Sequence, residues 1–278
     1  MKALSFKIPK PEPTSLLFQK DVGRIFYDKL HQHEEIQMSF ILSGEGDLVV
    51  GDRILRYTPG SIFVIGSYLP HLFKSDTSAS EHSEMLTLFF TRASFGTFSA
   101  FDELQEIQPL LNELSLGIEV QSNQSEIGSI FCQLEQSTDF ERLIHFLSIL
   151  SLIVHSNRRS LSSAVPSKIM SETEGARMQQ VMDYAMNHFR EPISLDEIAQ
   201  QVNMTRNSFC RYFKQRTNKS FFQFLNEIRL EHASMLLRKN GEQSIDEIAE
   251  RSGFRNISHF NRQFKSYRGM TPREWRKG

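Results

Sequence analysis

Apolar residues in the C-terminal part of the chain recur every three to four positions, which is the spacing of one α-helical face. The pattern predicts a helix that ends before Pro192, a connecting helix over residues 221–238, and one pair of shorter helices on either side of the connecting helix. From about residue 14 to residue 91, short apolar runs such as 36–42 alternate with Gly-containing turns. That pattern predicts closely spaced β-strands in a sandwich or small barrel.

Helices are predicted again at 98–114, 126–135 and 139–155. The last of these is apolar around more of its surface than one packing face requires, so it predicts either a helix buried against its own barrel or a dimer interface. A Ser-rich stretch follows at 156–175 and is interpreted as a linker. We therefore expect an N-terminal domain over 1–155, this linker, and an α-helical domain over 176–278.

The two pairs of short helices carry nearly the same sequence. Residues 194–199 read Ser-Leu-Asp-Glu-Ile-Ala, and residues 244–249 read Ser-Ile-Asp-Glu-Ile-Ala. In each copy the Ser can cap a helix whose first turn is acidic, and a turn follows at Asn203 or Gly253. The second helix of each copy has two Phe residues four positions apart, on what should be its buried face. The repeat predicts two helix-turn-helix units.

The second helix of each copy is expected to have a polar and basic outer face. Arg211 and Arg262 occupy the same position in the two copies, one turn beyond short hydrogen-bonding residues. A guanidinium can make two hydrogen bonds to guanine, so such a face fits the major groove of duplex DNA. The candidate DNA contacts are Thr205, Arg206, Asn207, Ser208, Arg211, Lys214, Asn256, Ser258, His259, Asn261, Arg262 and Lys265.

The distribution of charge agrees with a DNA-binding C-terminal part. The whole chain has a formal net charge of −1, but residues 177–278 carry +7 and residues 1–176 carry −8. A basic domain is attracted to phosphates whatever the base sequence. The acidic N-terminal part should avoid DNA.

Residues 177–277 resemble the DNA-binding domain of the AraC/XylS family of bacterial transcription regulators. The resemblance is carried by Ile193-Ser194-Leu195, Gly253-Phe254, Phe260-x-Arg262-x-Phe264-Lys265 and Gly269-Met270-Thr271-Pro272. Asn203 and Asn218 stand where the family usually has Gly, and Asn tolerates a positive φ better than most residues. The resemblance implies a regulator that binds promoter or operator DNA, with RNA polymerase as a further expected partner.

The N-terminal strands resemble the cupin sensory domain found in many members of that family, through His31-x-His33, Gln37, Gly44, Pro59-Gly60 and Pro70-His71. His31, His33 and Gln37 share one parity along an extended strand, and His71 can arrive from a neighbouring strand. We predict that these four residues bind a small-molecule effector. In metal-binding cupins the corresponding positions hold three His and a Glu. Gln37 is a neutral and poorer ligand, so no metal and no cofactor are expected.

Composition narrows the remaining choices. The chain has two cysteines, Cys132 and Cys210, far apart in sequence, so neither a disulfide framework nor a Cys-based metal site is indicated. The longest apolar stretch, 143–154, is too short to span a bilayer. We expect a cytoplasmic protein without a membrane partner, and a homodimer formed through helices within 98–155.

Three functions compete at this point. The first is an α+β, two-domain transcription regulator, with a small jelly-roll-like barrel and flanking helices that sense an effector and an all-α double helix-turn-helix domain that binds DNA. The second is a metal-dependent cupin enzyme with an appended nucleic-acid-binding domain, which Gln37 weakens. The third is architectural DNA binding without an effector, which leaves the barrel unexplained. No catalytic residue is assigned. The sequence favours the first function, a transcription regulator controlled by an effector.

Overall fold

The computed structural model describes residues 15–163, 170–239 and 243–277. The chain forms two compact units, Met1–Gly175 and Ala176–Gly278. The first is built mainly from antiparallel strands with flanking helices, and the second is helical in its described residues. The expected α+β class with two domains is confirmed.

Unit 1 contains two antiparallel sheets. The larger has the strand order β1-β7-β2-β5-β8-β9, and the smaller has the order β4-β3-β6. The strands are β1 Leu16–Gly23, β2 Ile36–Ser43, β3 Gly46–Val50, β4 Arg53–Tyr57, β5 Ile62–Ile65, β6 His71–Ser75, β7 Ser83–Phe90, β8 Ile118–Val120 and β9 Arg158–Ser160.

The larger sheet is covered on both faces because its side chains alternate between two cores. Met38, Val64 and Leu88 belong to a core shared with the flanking helices. Ile41 and Phe63 belong to a second core, which they share with residues of the smaller sheet. Gln37 has the same parity as Ile41, so the alternation directs it into the interior between the two sheets.

Three α-helices pack against the outer face of the larger sheet: α1 Gln108–Glu113, α2 Gln124–Gln133 and α3 Asp139–Val154. The prediction of one helix over 98–114 is wrong in part. The segment consists of 3-10 helices over Arg92–Ala100 and Asp102–Ile107 followed by the short α1, and Gly96 interrupts the first of them with a φ of 49°. α3 begins with a capping box between Thr138 and Glu141.

The predicted linker over 156–175 is wrong for its first part, because residues 158–163 are built into the barrel. β9 pairs with β8, and Leu161 is fully buried in the core between the sheets. The Asp52 carboxylate accepts hydrogen bonds from the Oγ of Ser162, at 2.9 Å, and from the backbone N–H of Ser163, at 2.8 Å. The linker prediction for residues 164–169 lies outside the described residues.

The chain is fastened to the barrel once more before unit 2. The side-chain amide of Gln32 donates to the carbonyl of Met170 at 3.1 Å and accepts from its N–H at 3.5 Å. Both residues are buried. Gln32 lies between His31 and His33, so the same short segment carries two candidate effector residues and holds the chain that leads out of unit 1.

The helices of the C-terminal part are α4 Glu172–His188, α5 Leu195–Gln201, α6 Arg206–Thr217, α7 Phe221–Lys239, α8 Ile245–Arg251, α9 Ile257–Arg268 and α10 Pro272–Trp275. The predicted connecting helix is confirmed as α7. The α5–α6 pair and the α8–α9 pair are the two predicted copies. Ser194 and Ser244 cap α5 and α8 through capping boxes with Glu197 and Glu247.

The turns of the two copies have the same backbone conformation. Asn203 has a φ of 54° and Gly253 a φ of 84°, so Asn fills the left-handed position that Gly fills in the second copy. The C-caps agree as well, since Asn218 after α6 and Gly269 after α9 are both left-handed. The family resemblance therefore survives both replacements of Gly by Asn.

The repeat extends further than the sequence analysis found. The Ser220 hydroxyl accepts from the N–H of Gln223 at the start of α7, and the Thr271 hydroxyl accepts from the N–H of Glu274 at the start of α10. α10 thus repeats the first turn of α7. The weak similarity of these two segments in sequence hid the correspondence.

α7 holds both copies through acidic side chains one turn apart. Glu227 makes an ion pair of 2.6 Å with Lys219, just after α6. Glu231, which is 4% exposed, binds the guanidinium of Arg268 at the end of α9 and accepts a hydrogen bond of 2.7 Å from the Tyr267 hydroxyl. The ends of both second helices are therefore fixed to one common helix.

The turn at Gly253 yields a prediction about stability. A Cβ at Gly253 would lie 2.5 Å from the carbonyl oxygen of Phe189 and 2.8 Å from Nε of Arg229. A Cβ at Gly269, which also has a positive φ, meets nothing within 4 Å. Gly269→Ala should cost about 1 kcal/mol from backbone strain alone, and Gly253→Ala should cost about 1–3 kcal/mol more from overpacking. Chemical denaturation of the helical unit in the full chain measures both, and equal losses would contradict the close packing of this turn.

Candidate nucleic-acid interface and histidine cluster

α6 buries one face and exposes the other. Phe209 and Phe213 are fully buried, and their rings lie 5.8 Å apart. Both also contact the ring of Phe221 at the start of α7, each at 5.6 Å. The opposite face is therefore directed to solvent, and it carries Arg206, Asn207, Arg211 and Lys214.

α9 has the same arrangement. Phe260 and Phe264 are fully buried, with their rings 5.5 Å apart, in a core that includes Leu237 of α7 and Ile248 of α8. Its exposed face carries Ser258, Asn261, Arg262 and Lys265. Arg211 and Arg262 are thus both exposed at matched positions of equivalent helices.

Four of the twelve candidate DNA contacts have structural roles or are partly covered. The Thr205 hydroxyl caps α6 by accepting from the N–H of Ser208, and Oδ1 of Asn256 caps α9 by accepting from the N–H of His259 at 2.8 Å. Ser208 and His259 are half-buried. The other eight candidates are exposed on the faces described above.

The sequence analysis missed four exposed residues of α6 and α9, among them Cys210 and Ile257. Cys210 lies on α6 one turn before Lys214, and Ile257 is the first residue of α9, one turn before Asn261. Helical spacing alone places both on the outer faces. They were passed over because neither a thiol nor an aliphatic side chain was expected among polar contacts to DNA.

The four candidate effector residues come together inside unit 1. His31, His33, Gln37 and His71 are 8%, 3%, 4% and 0% exposed. Gln37 lies on β2 and His71 at the start of β6, whereas His31 and His33 precede β2 and do not share its strand. His31 forms an antiparallel bridge with His71 instead. One ligand atom from each of the three histidines lies within 4.8 Å of the others.

The orientation of each ring is set by a backbone carbonyl. Nδ1 of His31, His33 and His71 lies 2.7, 2.9 and 2.8 Å from the carbonyl oxygens of Lys29, Glu35 and Leu69. Because a carbonyl only accepts, Nδ1 carries the proton and each neutral ring has its lone pair on Nε2.

Gln37 connects two of these rings to a line of hydroxyl groups. Its side-chain oxygen lies 3.2 Å from Nε2 of His33 and 3.1 Å from Nε2 of His71. Its nitrogen lies 3.0 Å from Oγ of Ser39, which lies 3.0 Å from Oγ1 of Thr87. Imidazole Nε2 atoms and an amide oxygen are all acceptors, so this orientation of the amide suits a bound cation.

The donor set of three Nε2 atoms and an amide oxygen fits a divalent transition metal ion, although it lacks an anionic ligand. A half-turn of the Gln37 amide gives an arrangement that needs no metal. The two N–H groups then donate to His33 and His71, and the oxygen accepts from Ser39. Gln37 can satisfy the cluster in this way because it has two N–H donors, which a Glu at this position would lack.

Burial keeps the rings of His31 and His71 uncharged. Burial, opposed by the hydrogen bond to the Lys29 carbonyl and assisted by the nearby His33, lowers the pKa of His31 to about 4. Burial also lowers the pKa of His71 well below its ordinary value, as do His31 and His33. The Glu35 carboxylate lies 3.6 Å from Nδ1 of His33. At neutral pH His31 and His71 are therefore polar but uncharged.

Comparison with known proteins identifies both units. Residues 198–278 match the family model described as "Helix-turn-helix domain", and residues 22–87 match that described as "Cupin domain". The chain is 26% identical over 258 residues to the HTH-type transcriptional activator RhaS of Enterobacter sp. (strain 638), covering 89% of this chain and 87% of that protein. The chain thus combines a cupin unit with an AraC-type helix-turn-helix unit, as AraC-type transcription regulators do.

Other relatives of this AraC-type chain are also bacterial. An uncharacterized HTH-type transcriptional regulator of Staphylococcus aureus (strain COL) is 23% identical over 254 residues, which cover 87% of this chain but 31% of the relative's length. A solved AraC-type regulator from Chromobacterium violaceum is 29% identical and aligns with 37% of this chain and 90% of its own, with a TM-score of 0.35. Among the described helices of the AraC-type chain, none combines the length and apolar character needed to cross a membrane.

The histidine cluster predicts how the stability of the barrel depends on pH. The unfolded chain protonates His31 as the pH falls below 6.5, whereas the folded barrel does so only near pH 4. Between pH 6.5 and pH 4 the folded state binds fewer protons than the unfolded state. The contribution of His31 to the unfolding free energy is therefore fully present above pH 6.5 and is lost as the pH falls toward 4. For His31 alone the loss between neutral pH and about pH 5 should be about 2 kcal/mol.

Urea denaturation of the barrel transition at about pH 7.5 and pH 5 measures this loss. His31→Gln should reduce the difference between the two conditions, since it removes the titrating group. An unfolding free energy that is the same at both pH values in the wild-type chain would contradict burial of a neutral cluster.

Proposed function

We propose that this AraC-type transcription regulator binds a specific operator with α6 and α9, and that a small molecule bound in its barrel controls this binding. The observation that carries the proposal is the matched exposure of Arg211 and Arg262 on two equivalent helices that pack on the same connecting helix. The relatives named above are regulators, which favours regulation over catalysis for the cupin unit as well. Contact with RNA polymerase stays a prediction.

The exposed cations should have different tasks. Arg211 and Arg262 lie near the middle of their helices, and a guanidinium there can make two hydrogen bonds to a guanine. Lys214 and Lys265 lie in the last turns, where a single ammonium group suits a phosphate. The arginines should therefore select sequence, and the lysines should supply affinity for any duplex.

Binding to duplexes selected from a random pool tests this division. Arg211→Ala or Arg262→Ala in the full chain should cost about 1–3 kcal/mol on the selected duplex and much less on a scrambled one. Lys214→Ala and Lys265→Ala are the matched controls, and they should weaken both duplexes alike and flatten the salt dependence. Arginine variants that keep the full preference for the selected duplex would show that the reading faces are wrongly assigned.

We propose the cluster of His31, His33, Gln37 and His71 as the effector site. It is the polar end of an interior that is otherwise lined by apolar residues such as Ile41 and Phe63. A polar ligand can replace the hydrogen bonds that Gln37 makes to the imidazoles, with Ser39 and Thr87 as further partners. A neutral or weakly charged ligand suits the uncharged rings.

The hydrogen bond between Gln32 and Met170 can transmit the effect of a bound effector to the chain that leads out of the barrel. A shift of the segment that carries His31 and His33 would move the amide of Gln32, and with it the backbone two residues before α4. α4 follows Met170 in the chain and precedes the helices proposed to bind DNA. We propose this connection as the coupling between effector and operator binding.

Metal analysis and a ligand screen together test the effector site. The purified wild-type chain should contain little metal, because the Gln37 amide can donate to Nε2 of His33 and His71 and supplies no anionic ligand, whereas Gln37→Glu should acquire a divalent transition metal. A thermal-shift screen of metabolites should find a stabilising ligand, and His33→Ala and His71→Ala should abolish the shift while the chain still binds DNA without effector. One tightly held metal per wild-type chain, lost in both His variants, would overturn this and favour the metal-dependent alternative.

We also propose that the chain forms a dimer through α3. Phe146, Ile149, Leu150 and Ile153 face the core, so these apolar residues are explained by packing within one chain. Phe140 and Ile144 are 72% and 48% exposed, and with the half-buried Leu147 they form an apolar stripe along the outside of the helix. A second copy of the same stripe is its proposed partner.

Sedimentation of the full chain tests the dimer. The double variant Phe140→Asp/Ile144→Asp should convert a micromolar dimer into a monomer without unfolding it, because both side chains lie outside the core. Ile25→Asp, at a residue that is 52% exposed elsewhere on unit 1, is the matched control and should stay dimeric. A monomeric wild-type chain at that concentration would refute the interface.

A further inference from the structure

We infer that Ile257, the first residue of α9, contacts the 5-methyl group of a thymine. The inference rests on the proposed binding of DNA by α6 and α9. It adds a specificity-determining residue that the polar and cationic contacts do not include.

The two reading helices have the same framework but different outer faces. Both have 12 residues, a side-chain N-cap and a left-handed C-cap, so positions along them can be matched one to one. Arg211 matches Arg262, and Lys214 matches Lys265. The other matched exposed pairs differ in chemistry, and they are Arg206 with Ile257, Asn207 with Ser258, Cys210 with Asn261, and Gln215 with Ser266.

The first helical position shows the largest difference. Arg206 is exposed, and its guanidinium lies 3.8 Å from the carboxylate of Asp196, which is exposed as well. Ile257 is 36% exposed at the matched position of α9 and does not belong to the core under that helix. A cation at the start of one reading helix corresponds to an aliphatic side chain at the start of the other.

An apolar side chain at the N-terminus of a reading helix has one natural partner in duplex DNA. N-terminal residues of such a helix contact base edges, and the only apolar group in the major groove is the thymine methyl. The neighbouring polar group of Asn256 is occupied in capping, with Oδ1 bound to the N–H of His259. Ile257 is therefore the apolar side chain at this end of α9 that can distinguish thymine from cytosine, next to the polar Ser258.

The operator of one chain should then consist of two different subsites. Each contains a base that Arg211 or Arg262 can bind, and the α9 subsite alone contains a thymine recognised through its methyl group. A sequence in which one subsite is simply repeated should bind less tightly than the natural pair. The matched caps and buried phenylalanines orient the two helices in the same way, but they do not determine which exposed side chains meet the DNA.

Replacement of thymine by deoxyuridine tests the inference directly, since it removes the methyl group and keeps every hydrogen-bonding group of the base. The probe is a duplex selected from a random pool by the full wild-type chain. Deoxyuridine at one position of the α9 subsite should weaken wild-type binding about three- to fivefold, the effect of exposing roughly one apolar carbon. The Ile257→Ala chain should bind the thymine and deoxyuridine duplexes with nearly equal affinity.

Met270→Ala is the matched control, because Met270 is 40% exposed in the same unit but follows α9. It should keep the wild-type response to deoxyuridine. The inference fails if Ile257→Ala keeps that response, or if it weakens binding to selected and scrambled duplexes alike. Failure of the wild-type chain to select any sequence would instead refute the proposed function on which the inference rests.

Discussion

The structure of the DNA-binding unit depends on the burial of two phenylalanines, four residues apart, under each of the two helices proposed to read DNA, α6 and α9. Phe209 and Phe213 in α6, and Phe260 and Phe264 in α9, are each fully buried. Burial of one such side chain is worth about 1.5–3 kcal/mol, so rotation of either helix about its axis would be costly. The aromatic pairs thereby determine which residues face solvent, and so which residues can meet DNA. The scaffold and the reading surface are separate sets of positions on the same two helices.

The connecting helix makes one unit out of the two copies. Phe221 and Phe224 of α7 contact the phenylalanines of α6, and Leu237 lies in the core beneath α9. The ion pairs of Glu227 and Glu231 fix the ends of α6 and α9 to α7. At about 1.5 Å per residue α7 is roughly 28 Å long, which is close to one turn of DNA, about 34 Å. The spacing suits successive major grooves on one side of a duplex.

Much of this arrangement follows from the sequence, because the repeat makes each weak local signal appear twice. Capping boxes, left-handed turns and the phenylalanine spacing all depend on near neighbours in the chain, and the structure shows them at Ser194, Asn203, Gly253 and Phe260. What sequence did not reveal depends on distant contacts. The Asp52 contacts with Ser162 and Ser163, and the bond between Gln32 and Met170, join segments more than a hundred residues apart. A Ser-rich stretch therefore looked like a linker although part of it is a strand.

The histidine cluster shows the same limit at a smaller scale. His31, His33, Gln37 and His71 lie together in the structure. Parity placed His31 and His33 on the strand of Gln37, whereas both precede that strand and His31 is held by a bridge to His71. The Gln37 amide has two N–H donors, and a carboxylate has none. This difference distinguishes the cluster from a carboxylate-containing metal site, and the hydrophobic periodicity of the sequence does not show it. The apolar side chain of Ile257 was likewise invisible to a search for polar contacts with DNA.

Hydroxyl-radical footprinting of the full chain on its selected duplex tests the central claim, that one chain reads DNA with two equivalent helices. At concentrations where a single chain is bound, two protected segments should appear about one helical turn apart, roughly 10 base pairs. Protection of one segment only would contradict the account, because α6 and α9 could not then both be working readers.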